Sequence, residues 1–447
     1  MTEQDAVAQL DAMDDAKRRE AVAYLAGTAK FPEPGPLFNL HCHSFFSYNA
    51  DGWSPSRIAY ECRMRGLQAT ALCDFDVLDG MNEFFAATAA FGIRSAVHLE
   101  TRAYLKELAD ADINSPGEHG VTYIMGCGFL RDPAPETSAA QTLQALRIGA
   151  QSRNTALISR INAALPAIAI DEARDLFPMT PRATPTERHI IRAYRLKALE
   201  VFPDPAARAA FWAPLLKIDP AAFAELEASV PKCEEAIRTI LVKRGGIGYQ
   251  APDSTTFPPV PTFVKWVKSC EAIPTTAWLD GTSGGEASAD DLLDLMGSHG
   301  CQALNIIPDR NIKDKTPEKT ALKQKKLAEM VKACEARDLP VIIGTEMNKL
   351  GLPFVDDITD ARLAPYAETF TKGMWTLIGH TLLGRFAQAP YGGARAEAEF
   401  SDRAARNAFY AAVGRLPALT TEKADRLRDL GPDKAYAALA DEAKRNG

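Results

Sequence analysis

LFNLHCHSFFSYNADGWSPSRIAYECRMRGLQATALCDF, residues 37–75, reads as strand, loop, helix and strand in turn. The apolar LFNLH is a short extended run. Ser54 followed by Pro55 is a capping residue with proline in the first helical position, so a helix opens there. LQATALCDF is again short, apolar and strand-like. Such a unit is the building block of a parallel sheet wrapped by helices. The pattern continues with a helix over Met81–Phe91 and the strands RSAVHLET (94–101) and VTYIMGCGF (121–129). It stops at about residue 136, where only helical patterns follow as far as 244. It then resumes: a helix near Phe263–Cys270, strand TTAWLD, a helix near Asp290–His299, strand ALNIIPD, a helix near Lys315–Arg337 and strand LPVIIGTE.

This implies an α/β barrel in two parts, 37–135 and 245–394, interrupted by a helical insertion at 136–244. An N-terminal helix over Glu3–Leu25 and a linker fill 1–36, and a helical tail fills 395–447. The 447 residues and an apolar fraction of 46% suit a globular protein with a large core. The net charge is −7, with Lys and Arg scattered, so no basic face stands ready for a phosphate backbone and nucleic acid is not expected as a partner. Eight cysteines lack the short paired spacings of a zinc ribbon or a disulfide framework. The acidic, polar start is unlike a signal peptide, and no run approaches the roughly 20 apolar residues of a membrane span. A cytoplasmic protein with no membrane partner is expected.

In a parallel barrel the loops after the strands converge on one mouth, so chemistry should sit at strand ends. His41 and His43 end the first strand one residue apart, on the same side of extended backbone, and can grip one ion. Asp51 follows in the loop. Asp74 and Asp76 end the second strand, Glu100 the third, and Asp280, Asp309 and Glu346 later ones. Asp74 and Asp76 also suit a helix cap, and Asp280 and Asp309 suit turns. His98, His119 and His299 read as ordinary strand, loop and helix residues. His380, in WTLIGHTLLG, is a candidate for substrate contact or a core histidine.

The run NLHCHSFFSYNADGWSPSRIAYECRMRGLQATALCDFDVLDGMNEF, followed by GIRSAVHLET, resembles the first three motifs of the polymerase-and-histidinol-phosphatase (PHP) phosphoesterases. The resemblance is close over residues 38–101 and looser to about 356. It implies a PHP-type distorted (β/α)7 TIM-like barrel, metal ligands at His41, His43, Asp51 and Glu100, and Glu100 bridging two ions. Three imidazoles usual in the family are replaced, by Phe75, Tyr123 and Trp278, and GTEMN puts Glu346 and Asn348 where aspartate and histidine are usual. A trinuclear site is therefore incomplete. One or two ions are expected, with manganese, iron or magnesium as suitable as zinc for a carboxylate-rich set that includes Glu346.

Some family members carry a helical insertion over the barrel mouth. Here TPTERHIIRAYRLK aligns Arg188, His189, Arg192 and Lys197 along a helix, a cluster that suits an anionic group or a solvated face. Arg310 and Lys349 can add contacts from the mouth. The expected activity is metal-dependent hydrolysis of a small phosphorylated molecule, with Asp74, Arg188 and His189 in catalytic roles and Arg192, Arg310, Lys349 and His380 on the substrate. The alternative is a degenerate barrel that binds a metal or metabolite without turnover.

Overall fold

Seven short apolar runs, each bounded by polar turns, form the strands β1 (Phe38–Cys42), β2 (Ala69–Phe75), β3 (Arg94–Tyr104), β4 (Val121–Cys127), β5 (Ile273–Trp278), β6 (Ala303–Ile306) and β7 (Val341–Ile343) in a computed structural model that describes residues 1–446. They lie in one sheet in chain order. A parallel bridge from Cys42 to Glu346 brings the last strand back to the first and rolls the sheet into a barrel. Every residue of β1, β5, β6 and β7 is buried, as strands covered on both faces by side chains and helices must be.

The barrel departs from strict alternation at one strand. β4 runs antiparallel to both β3 and β5, whereas all other neighbouring pairs are parallel. The cause is legible in the chain. Residues 105–120 hold only one short turn of 3-10 helix, and a parallel return needs a crossover that those residues do not provide. The reversal puts the beginning of β4, not its end, at the mouth. It leaves the chain near the foot of the barrel, and the helix Ser138–Ala164 carries it back: 27 residues span about 40 Å. Trp266 ties the foot of that helix through a hydrogen bond from Nε1 to the Ala139 carbonyl.

Helices Glu187–Val201, Pro205–Leu216, Pro220–Glu227 and Val230–Leu241 follow. With the long helix they enclose a second apolar core around Ile161, Ile190, Tyr194, Trp212, Phe223 and Ile237. The N-terminus forms two helices, Glu3–Gln9 and Asp15–Thr28, rather than one over Glu3–Leu25. Asp14 breaks the run by accepting the Ala16 N–H and capping the second. On the far side, the helix Ala367–Ala387 lies so close to β7 that a Cβ on Gly373 would stand 2.0 Å from the Val341 carbonyl oxygen, so only glycine fits. All eight cysteines are free. Among the described residues no helix is long and apolar enough to cross a membrane.

Candidate metal centre

The end of β1 and the middle of β3 meet at the floor of a cavity of about 770 Å³. His41 Nε2 lies 3.3 Å from His43 Nε2, and Glu100 Oε2 lies 3.3 Å from the first and 3.4 Å from the second. All three side chains are buried. Donors held about 2.0–2.1 Å from one ion in tetrahedral array stand about 3.3 Å apart, which matches these three edges.

The neighbours fix which atoms face inward. His41 Nδ1 is 3.2 Å from Asn305 Oδ1, and the Asn305 amide is oriented by donating from Nδ2 to the Ile342 carbonyl. His43 Nδ1 is 3.3 Å from Ser47 Oγ, whose own proton goes to Asp74 Oδ1 at 2.6 Å. Both Nδ1 atoms therefore face acceptors, which leaves both Nε2 atoms as lone pairs. Glu100 Oε2 is buried with no hydrogen-bond partner. Two lone pairs and an orphaned carboxylate oxygen converging on one point suit a cation. Burial disfavours a charged His41, but the Glu100 carboxylate outweighs it and raises the imidazole pKa, while the two imidazoles hold Glu100 well below the usual carboxylate range against its own burial. Protons and metal ions thus compete for the same triangle.

Other expected site residues fall elsewhere. Asp51 is exposed in a turn, its N–H bonded to Asn49 Oδ1, and stands outside the triangle. Asp74 accepts from Ser44 N, Ser44 Oγ and Ser47 Oγ, so it braces the loop after β1 rather than facing substrate. Glu346 does line the cavity, but its Oε2 is 2.6 Å from Arg310 Nη2. Asp280 accepts from Thr282 and pairs with Lys323, a turn residue as its neighbours suggested.

The insertion's cluster divides. Arg188 lines the cavity and pairs with Glu235. His189 is buried, does not line the cavity, accepts the Thr186 N–H at Nδ1 in a capping box, and is pushed down to about 3 by burial. Arg192 reaches the cavity only through the Tyr48 hydroxyl, at 3.1 Å. Lys349 is exposed, 4.0 Å from Glu235. His380 lies in the core outside the barrel, donating from Nε2 to the Gly128 carbonyl and accepting the Tyr391 N–H at Nδ1, and touches no part of the cavity.

Phe75, Tyr123 and Trp278 all line the cavity, and Phe75 stacks on His43 with ring centroids 4.5 Å apart. Sequence reasoning missed most of the wall. Arg102, Arg147, Arg153, Arg160, Arg238 and Lys243 join Arg188 and Arg310 there, eight cations against the five carboxylates of Asp76, Glu100, Glu118, Glu187 and Glu346. Arg153 and Arg160 had a signal, being seven residues apart on one face of a helix. Asn305, a lone polar residue in ALNII, was another.

No family model and no curated protein matches the chain. Among solved structures it is similar to a "putative metal-dependent phosphoesterase" from Bifidobacterium adolescentis, with 17% identity over 75% of this chain and 97% of that one and a TM-score of 0.45. It is also similar to an amidohydrolase from Chromobacterium violaceum with bound sulfate and no metal, with 16% identity over 72% and 91% of the two chains and a TM-score of 0.47.

Proposed function

We propose that the chain is a metal-dependent hydrolase of a small phosphate ester. The observation that carries this reading is the floor-and-wall arrangement: a triangle of converging donor atoms from His41, His43 and Glu100 beneath a wall on which eight cationic side chains face the four carboxylates of Asp76, Glu118, Glu187 and Glu346. A divalent ion, zinc, manganese, iron or magnesium, would supply Lewis acidity toward a phosphoryl oxygen and lower the pKa of a water. The chain's own residues do the rest. Arg153, Arg188 and Arg310 attract and orient the anion, and Phe75 and Trp278 keep the floor dry beside it.

Binding without turnover is the second reading, favoured by the three aromatic side chains that leave the triangle without a fourth or fifth protein donor. Protein purified without chelator should contain about one divalent ion per chain and release phosphate from phosphate monoesters. Metal at that level with no release from any monoester supports the binding reading. No metal at all defeats both.

A further inference from the structure

Tyr123 is the cavity-wall residue whose position the reversed strand determines. It lies directly opposite Arg102 in the β3–β4 ladder, and Glu100 lies opposite Met125. Cross-strand partners share a face of the sheet, and so do residues two apart on one strand, so Glu100, Arg102 and Tyr123 all project to the cavity, which each of them lines. Tyr123 is thus the diagonal neighbour of Glu100, at about 7–8 Å between Cα atoms, a span an aromatic side chain bridges. The rings agree with this placement. Tyr123 lies 6.3 Å from Phe75, which stacks on His43.

The strand is pinned at this point. Asn114 Oδ1 accepts the Tyr123 N–H at 2.7 Å, and Asn114 Nδ2 donates to the Ala277 carbonyl on the next strand. Besides the ladder, the side-chain hydrogen bonds to Tyr123 among the described residues all go to its backbone, so the phenol is uncommitted. Charged groups around it are Arg102, Arg238 and Arg310 on one side of the balance and Glu187 and Glu100 on the other.

We propose that the Tyr123 hydroxyl is the acid that protonates the leaving group. The proposal rests on the phosphate-ester reading. The oxygen of a water forms a bond to phosphorus and gives up one of its two protons to solvent, and the bond from phosphorus to the leaving oxygen breaks with its electron pair on that oxygen. The leaving oxygen takes the phenolic proton, and the phenolate, eased by three guanidinium groups, regains a proton from solvent as the alcohol departs. An ordinary phenol, with a pKa of about 10, keeps its proton at neutral pH. Tyrosine here stands at one of the positions where the resemblance to the PHP phosphoesterases implies a metal-binding imidazole.

The test is Tyr123→Phe, which removes one oxygen and keeps the ring. Wild type and variant are compared on p-nitrophenyl phosphate, phenyl phosphate and glycerol 1-phosphate, whose leaving groups need a proton increasingly. The variant should lose about 100-fold in kcat on glycerol 1-phosphate and less than about threefold on p-nitrophenyl phosphate. Its metal content and its affinity for inorganic phosphate should match the wild type. An equal loss on all three esters, no loss on any, or a tenfold weaker phosphate affinity overturns the acid role and leaves the ester reading standing. A wild-type protein that holds metal yet hydrolyses none of the three overturns the ester reading and the acid with it.

Discussion

His41 and Glu100, at the cavity floor, and His43, stacked beneath Phe75, are at most a few per cent exposed, and each imidazole is oriented by a neighbour that is itself oriented by another group. Arg153 and Arg188, on the wall contributed by the insertion, keep about a quarter of their side chains in solvent and lean on one carboxylate each, at 3.8 and 3.0 Å. The floor works through single atoms whose places the sheet register dictates, so one lost donor changes what can bind. The wall works through a sum of charges, so any one of them is partly covered by the rest.

The largest effect should therefore come from the floor. His43→Ala removes one of three donors and should lower affinity for zinc or manganese by well over 100-fold, as read by calorimetry. Asn305→Ala leaves the donors in place but frees the tautomer of His41, and should cost about 10–100-fold. If Asn305→Ala binds metal as tightly as the wild type, the hydrogen bond to Nδ1 does not set the inward lone pair, and the floor tolerates the loss of one orienting contact as the wall does.

The wall should respond in a different variable. Arg153 has no carboxylate closer than Asp76, and its guanidinium lies 4.7 Å from the Phe257 ring, which Arg102 flanks at 4.4 Å. Arg153→Ala should raise KM for a phosphate monoester about tenfold, the scale of one charge-assisted hydrogen bond, with metal content unchanged. The difference should shrink as salt is added, because the site is open to solvent. A fall in metal content instead would couple wall to floor and break the distinction.

The same contrast explains what could be read from the chain. Strand ends are local: HCH after an apolar run gives two donors on one side, and LET two strands on gives the third, so the triangle was legible. The reversed β4 was half legible, since no helix stands between RSAVHLET and VTYIMGCGF, and that missing helix is why the strand turns back. The roles of Asp74, His189 and His380 were not legible. Each is a polar residue in a suggestive place, and each is satisfied by backbone or hydroxyl partners that only folding brings near. Asp51 stands apart from the triangle for a related reason, since an Asp-Gly pair in a loop serves a tight turn as readily as an ion. The wall was hidden because its cations come from β3, four separate helices and, in Lys243, a loop.

The smallest effect should come from Glu346, the residue on which floor and wall meet. Its backbone belongs to the floor: the carbonyl accepts the His43 N–H at 2.9 Å, and the chain there closes the barrel against Cys42. Glu346 and Met347 both hold left-handed backbone, with φ of 65° and 58°, a conformation costly for side-chain-bearing residues and kept only where surrounding structure imposes it. Its carboxylate belongs to the wall, where Arg310 occupies it. The charge still reaches His41 and helps hold that imidazole's pKa up, but the guanidinium beside it cancels most of the field an ion would feel. Glu346→Gln keeps the backbone and the side-chain shape and frees Arg310 toward the cavity. Metal content should then stay within about threefold of the wild type, below the scale of a lost contact around a metal, and KM for an anionic ester should fall slightly at low salt. A tenfold drop in metal content would show that Glu346 leaves Arg310 for the ion, which would make the site four donors rather than three.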